Sequence, residues 1–197
     1  MVVSADTGAG YLNQGEDGFG AYSTLLANMD LPRLRPSIVI VQGGYNDAGS
    51  NPFAVAAAVV SLVGGRSARR PPRGATLVVM GSFDADVAGS PTPPVDAVNS
   101  TILDAAQSVD PKPVIMDPLT SDWEFARASD NLHPTAAGSR TIANYAALAL
   151  SRAVSSGTVS FTRSTDPRPR QQIGPGGYPT ADRLPGRRAM EWYRRNR

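Results

Sequence analysis

Two short polar motifs hold the side chains of this chain that are best suited to chemistry. Gly44-Tyr45-Asn46-Asp47 follows an apolar run at 37–42, and Asp130-Asn131-Leu132-His133-Pro134 precedes a helix-like stretch. His133 is the single histidine of the chain, and an imidazole is a suitable general base near neutral pH. Asp130, three residues earlier, can accept a hydrogen bond from the second ring nitrogen and stabilise the imidazolium. The pattern therefore indicates proton transfer at His133, the step that activates a hydroxyl nucleophile.

Each of these residues also has a structural interpretation. A lone histidine is commonly structural, and Asn46 is of a type that stabilises turns. We interpret Asp47 as structural, holding its loop through backbone hydrogen bonds. Tyr45, Trp123 and Phe125 are candidates for lining an acyl pocket or for ordinary packing. The residue types alone leave these alternatives open.

Hydrophobic periodicity predicts alternating strands and helices around the two motifs. Strands are predicted at 37–42, 76–80 and 113–116, with a further short strand at 2–4. Helices are predicted at 21–29, 52–64, 95–109 and about 135–155. The alternation predicts an α/β fold with a parallel sheet, and the continuous apolar strands indicate a sheet that is covered on both faces.

Both motifs are expected at one edge of this sheet, because ligands of such folds bind at the carboxyl ends of the strands. The segment 44–47 directly follows a strand, and the segment 130–134 lies in the loop after the last strand. The glycine-rich segment 6–11 follows the first predicted strand at the same edge. We therefore expect Asn46 and His133 to face one cleft.

The two motifs resemble blocks of the SGNH (GDSL-like) hydrolases, a superfamily of esterases and lipases. Gly44 to Asp47 is similar to the family's Gly-x-Asn-Asp block, and Asp130 to Pro134 to its Asp-x-x-His-Pro block. The resemblance implies a flavodoxin-like three-layer sandwich and an acyl-enzyme mechanism with His133 and Asp130 as catalytic residues. It also implies an oxyanion hole that includes the Asn46 amide and the backbone N–H of Gly8, for which Gly10 is the alternative.

The Gly-Asp-Ser block that supplies the family's nucleophile is absent from this chain. Ser4 and Thr7 are poor substitutes, because too few residues separate them from Asn46 to hold the first strand, its helix and the second strand. Ser82 follows a strand, but at the wrong place in the family order. We therefore expect a hydrolase-like domain at 1–156 whose first strand is missing and whose printed start is internal to a longer polypeptide. The expected missing part is roughly 40–60 residues, by analogy with the family and with the size of a βαβ unit.

The composition limits the remaining functions. The chain has no cysteine, which excludes thiolate zinc sites and disulfides, and no cofactor or metal is expected. No apolar run of membrane-spanning length is present. If a signal peptide lies upstream, the protein is secreted or associated with the cell envelope.

The segment 157–197 is rich in arginine, proline and glycine. We interpret it as a mostly disordered tail, with anionic surfaces as its candidate partners and with no nucleic-acid motif. The expected partner of the domain is a small-molecule or acyl ester substrate. Two other hypotheses stay open: a catalytically inactive remnant or binding module of the same fold, and an interaction protein in which the basic tail is the functional part.

Overall fold

The computed structural model of the protein describes residues 2–64, 75–83 and 95–159. Residue 1 and the segments 65–74, 84–94 and 160–197 lie outside the described residues, and the last of these holds most of the predicted basic tail. The strands are β1 (Ile38–Gln42), β2 (Thr76–Met80) and β3 (Val114–Met116). The helices are α1 (Tyr22–Asn28), α2 (Leu31–Leu34), α3 (Pro52–Val63), α4 (Val95–Gln107) and α5 (Ala136–Ser155).

The described strands form one open parallel sheet in the order β1-β2-β3. Ile40 of β1 is in register with Val78 of β2, and Val78 is in register with Val114 of β3. Helices lie between consecutive strands along the chain, which confirms the predicted α/β class with a parallel sheet. The carboxyl ends of the three strands consequently lie at one edge, as in other parallel α/β sheets.

Each face of the sheet is packed against helices, and the two faces have separate cores. On one face, a cluster of buried side chains from α1, α3 and α4 surrounds Val79, and Val39 and Val41 pack against it. On the other face, Val78, Met80, Val114 and Met116 pack against α5. The continuous β-branched strands are explained by this arrangement, because side chains of both parities meet apolar neighbours.

Helix starts follow the capping residues of the sequence. The Asn51 side chain accepts hydrogen bonds from the backbone N–H groups of Phe53 and Ala54, and Pro52 occupies the first turn, which confirms the predicted start of α3. Thr135 caps α5 in the same way by accepting from the N–H of Gly138. The final helix was predicted to begin at about residue 135. In the structure Thr135 is its N-cap, and α5 begins at Ala136.

The predicted strand at 2–4 is wrong. These residues have no strand partner, and the Ser4 hydroxyl donates instead to the carbonyl of Leu25 in α1 at 3.4 Å. The side chains of Val2 and Val3 are exposed. Two valines and a serine without a neighbouring strand gain too little from pairing to form a strand. The short helix α2 was not predicted.

Candidate active site

The first half of the candidate site is the turn that follows β1. Gly43 and Gly44 have φ values of 143° and 131°, a conformation that favours glycine, and a 3-10 turn at Tyr45–Asp47 follows. A side chain on Gly44 would collide with Ile102 of α4. Both glycines are therefore needed for the chain to leave the sheet edge and turn back over the core.

Asp47 anchors this turn. Its carboxylate is fully buried and accepts hydrogen bonds from the backbone N–H groups of Tyr11, Leu12 and Asn13, at 2.6, 2.9 and 3.1 Å respectively. These contacts confirm that Asp47 holds its loop through backbone hydrogen bonds. They also bring the glycine-rich segment from the beginning of the chain to the end of β1.

Asn46 lies against the same glycine-rich segment. Its side-chain amide donates to the carbonyl of Ala9 at 2.9 Å. Gly8 is therefore one residue away from the acceptor of the Asn46 amide, and its φ of 72° suits a glycine. Gly10, the alternative, approaches Asp47 so closely that any side chain would collide with the carboxylate. Ala9 is flanked by Gly8 and Gly10, so this contact places both candidate glycines near Asn46, and Gly10 in addition packs against Asp47.

Two tyrosines pack against each other near Asp47 in this half of the site. The rings of Tyr11 and Tyr22 meet edge to face, with centroids 5.1 Å apart. Burial, and secondarily the charge of Asp47, raises the pKa of Tyr22 to about 12. Burial also raises the pKa of Tyr11, with smaller contributions from Tyr22 and Asp47. Both phenols therefore stay neutral at physiological pH, and neither serves as a base.

The second half of the candidate site is the loop that leads into α5. Two backbone hydrogen bonds fold it into a narrow turn, from the N–H of Ala128 to the carbonyl of His133 at 2.8 Å and from Thr135 to Ala126 at 3.0 Å. Asn131 sits at its tip with a φ of 55°. The left-handed residue reverses the chain, so that His133 returns over Asp130.

Asp130 and His133 are in direct contact. One carboxylate oxygen accepts the backbone N–H groups of Leu132 and His133, each at 2.9 Å. The other lies 2.8 Å from Nδ1 of the imidazole. With the carboxylate as acceptor, Nδ1 carries the proton and Nε2 carries the lone pair. The His133 side chain is 73% exposed, so the imidazole is held from one side and open on the other.

The same contacts stabilise the ionised form of the Asp130 carboxylate. The hydrogen bond from the His133 side chain, followed by the backbone N–H groups of His133 and Leu132, lowers the pKa of Asp130 to about 2. The carboxylate is therefore ionised at any pH at which the imidazole could act as a base. An ionised partner at Nδ1 favours the imidazolium that forms when Nε2 takes a proton.

A buried asparagine connects the segments that follow β2 and β3. The Asn99 side chain in α4 accepts the backbone N–H of Ser82, just after β2, at 2.8 Å. It also donates to the carboxylate of Asp117, just after β3, at 3.0 Å. Gly81 packs so closely against Asn99 that it cannot carry a side chain. Asn99 was not predicted from the sequence, although a polar residue within the apolar stripe of α4 was the available signal.

Among the described residues, none of the candidate hydroxyls of Ser4, Thr7 and Ser82 makes a hydrogen bond to Asn46 or His133. Ser82 is buried, with 2% exposure, and its oxygen lies beneath Gly44. Ser4 is bonded to α1. Within the described residues, no hydrogen bond joins Asn46 to His133. Each half is thus internally connected, and β2 lies between β1, which precedes the first half, and β3, which precedes the second.

A cavity of about 620 Å³ lies within the loop that precedes the second half of the site, and Trp123 and Phe125 are among its lining residues. Trp123 stacks on Tyr145 with centroids 5.1 Å apart, Phe125 meets Phe83 edge to face at 5.1 Å, and the Arg127 guanidinium lies 4.8 Å above Phe125. Trp123 and Phe125 therefore pack against other rings and also line a cavity. Its remaining walls are Pro118, Leu119, Asp122, Glu124 and Arg127.

The described residues contain no group of three or more side chains that could hold a metal ion. None of the helices in the described ranges combines the length and the apolarity needed to cross a membrane. Comparison of the chain with protein-family models, with curated proteins and with solved structures finds no match.

Proposed function

We propose that this chain carries the general base and the oxyanion-binding groups of a serine ester hydrolase whose nucleophilic serine it does not itself supply. The observation that carries the proposal is the contact between Asp130 and Nδ1 of His133, at 2.8 Å, on an imidazole that is open to solvent. Such a pair is the base of a hydroxyl-activating triad. The reaction type, ester hydrolysis, is inferred from the resemblance to the SGNH hydrolases.

The chemistry follows from the two halves. Nε2 of His133 takes the proton of the serine hydroxyl while the hydroxyl oxygen attacks the ester carbonyl carbon. The resulting imidazolium is stabilised by Asp130, and the oxyanion accepts hydrogen bonds from Asn46 and Gly8. His133 then returns the proton to the departing alcohol as the C–O bond breaks. A water molecule, activated by the same imidazole, releases the acid from the acyl-enzyme.

The sheet also supports this proposal. In the flavodoxin-like order of the family, the strand that bears the serine lies beside the strand that precedes Gly-x-Asn-Asp. In this chain the strand that precedes Gly44 to Asp47 is β1, and its only partner among the described strands is β2. A further parallel strand at the other edge of β1 would end next to Asn46. The three-layer flavodoxin-like sandwich is therefore the architecture that we propose for the complete domain.

An inactive remnant or binding module of the same fold is the second candidate. It is favoured by one contact: the Asn46 amide already donates to Ala9 at 2.9 Å, as in a purely structural loop. The amide has a second N–H, so this contact does not prevent oxyanion binding. Activity therefore has to distinguish the two candidates.

The test supplies the missing hydroxyl. The upstream reading frame is examined for an apolar strand followed by Gly-Asp-Ser, and the longer polypeptide is assayed on p-nitrophenyl acetate. We expect hydrolysis that falls by about 10²–10⁴ in His133→Ala and by about 10²–10³ in Asn46→Ala. An upstream frame without that motif, or a longer polypeptide whose activity is the same in His133→Ala, would favour the inactive remnant.

A further inference from the structure

The cavity of about 620 Å³, which we call the loop cavity, is formed by one continuous loop. The N–H of Trp123 donates to the carbonyl of Pro118 at 3.1 Å, and both residues line the cavity. Between them, Asp122 has a φ of 49°, a left-handed conformation that aspartate adopts more readily than most residues. The loop begins at Asp117, whose carboxylate accepts a hydrogen bond from the buried Asn99. The cavity is therefore pre-formed, as small-molecule sites usually are.

One wall of the loop cavity belongs to the backbone that carries His133. Arg127 lines the cavity and pairs with Pro134 in an antiparallel bridge. The next residue, Ala128, donates its N–H to the carbonyl of His133 at 2.8 Å. A ligand that contacts Arg127 therefore lies beside the segment of the candidate base. The cavity volume also falls within the range of about 300–1,000 Å³ that is typical of small-molecule sites.

The lining combines aromatic surface with charges of both signs. Three of its seven residues are charged, namely Asp122, Glu124 and Arg127. The two acidic residues are exposed, and their carboxylates offer hydrogen-bond acceptors. A guanidinium has five N–H donors, enough to serve a ligand as well as the protein. Beside these groups, the rings of Trp123 and Phe125 offer apolar surface.

This combination discriminates among ligand classes. An acyl chain would cover the charged side chains without hydrogen-bonding to them, which is unfavourable. A cation would meet the Arg127 guanidinium, which already lies 4.8 Å above the Phe125 ring, and an anion would meet two carboxylates. A neutral polyol matches all of these groups, because each hydroxyl both donates and accepts and the C–H face of a sugar ring can pack against an aromatic side chain.

We infer that the loop cavity binds a neutral sugar residue. Its hydroxyls donate to Asp122 and Glu124 and accept from Arg127, and Trp123 supplies the apolar wall. Trp123 is held for this role by stacking on Tyr145 at a centroid distance of 5.1 Å. That the sugar is the alcohol portion of the ester rests on the proposed function, whereas the binding of the sugar does not.

Trp123 itself reports binding. The other tryptophan, Trp192, lies outside the described residues, so Trp192→Phe in the 197-residue chain leaves Trp123 as the single indole. Its fluorescence is titrated with the methyl glycosides of glucose, galactose, mannose and xylose and with linear tetrasaccharides of the same sugars. We expect a saturable change with at least one of them. Tighter binding of a tetrasaccharide would identify a polysaccharide chain as the source of the sugar, and equal binding would identify a single ring.

Three variants locate the binding. Glu124→Ala is expected to weaken it by about tenfold, because it removes a hydrogen bond to a charged group. Glu124→Gln keeps an acceptor and should weaken it less. Asp104→Ala, at an exposed position of α4, is the control and should leave binding unchanged. Urea midpoints that are equal in all three proteins exclude a folding defect as the cause, since each of these side chains is exposed.

The outcomes separate this inference from the proposed function. The inference is overturned if no sugar gives a saturable change, if Asp104→Ala weakens binding as much as Glu124→Ala, or if methyl hexanoate or choline binds more tightly than every sugar. Sugar binding together with a longer polypeptide that shows no His133-dependent hydrolysis of p-nitrophenyl acetate would leave the inference standing and count against the proposed function. His133-dependent hydrolysis without sugar binding would overturn the inference alone.

Discussion

Asp47 and Asp130 both accept backbone hydrogen bonds, but they occupy opposite environments. Asp47 is fully buried, and its three donors belong to a segment more than thirty residues away in the chain. The Asp130 side chain is 49% exposed, and all of its donors lie within three residues. The first carboxylate fixes tertiary structure, and the second fixes the orientation of one imidazole.

This difference separates stability from chemistry within one site. Removing a buried acceptor leaves several N–H groups without water or partner, which is costly. An exposed acceptor is replaced by solvent at little cost to folding. The Asn46 half of the site should therefore be sensitive to changes that unfold the protein, and the His133 half to changes that affect only proton transfer.

The largest effect is expected for Asp47→Ala. The substitution leaves the N–H groups of Tyr11, Leu12 and Asn13 without their acceptor, and we expect a loss of about 3–4 kcal/mol in the free energy of unfolding. Urea denaturation measures it. Asp104→Ala, at an exposed position of α4, is the matched control and should change stability by less than about 0.5 kcal/mol. Equal losses in both variants would contradict the anchoring role.

A smaller loss is expected for Gly10→Ala. The new methyl group would collide with the Asp47 carboxylate, and such overpacking costs about 1–3 kcal/mol. Gly49→Ala is the control, because Gly49 has a φ of 83° but open space around it, and only the backbone strain of about 1 kcal/mol applies. If Gly49→Ala is the more destabilising variant in urea, the close contact does not determine the packing of this turn.

Asp130→Asn should leave the thermal midpoint of unfolding almost unchanged, because the side chain is exposed and its partners are local. If the upstream frame encodes the serine-bearing strand, the same variant of that longer polypeptide should have a lower kcat on p-nitrophenyl acetate, since it removes the ionised partner of the imidazole. The paired measurement of midpoint and kcat tests the separation. A variant that unfolds earlier and keeps its kcat would reverse the roles assigned to the two carboxylates.

The smallest effect concerns protonation. The pKa of Asp130 is lowered to about 2 by His133, and His133→Ala should raise it toward the ordinary value of 3.8. Because the folded pKa lies below the unfolded one, the stability contributed by this group is present above the unfolded value and is lost as pH falls through about 2. NMR titration of the Asp130 carboxyl carbon measures the shift. An unchanged titration would mean that His133 does not hold the carboxylate.

Local patterns predicted much of this molecule. The three strands, the cap at Asn51 and the structural role of Asp47 were all predicted from the sequence and are confirmed, because each depends on a residue type at a fixed position. The segment 2–4 was predicted wrongly, since a strand depends on a neighbour that a local pattern does not specify.

Long-range contacts account for what the sequence did not predict. Asn99 connects Ser82 with Asp117, and that connection depends on which strands are adjacent in space. The proximity of Asn46 to the glycine-rich segment was expected from the family resemblance, and the contact that creates it runs through Ala9.

The central claim is that the imidazole of His133, oriented by Asp130, activates a hydroxyl supplied from outside this chain. The most direct measurement is the rate at which a fluorophosphonate probe labels the serine of the longer polypeptide, in the wild type and in His133→Ala. We predict rapid labelling in the wild type and a loss of about 10² or more in the variant. Equal labelling rates in the two proteins would contradict the claim.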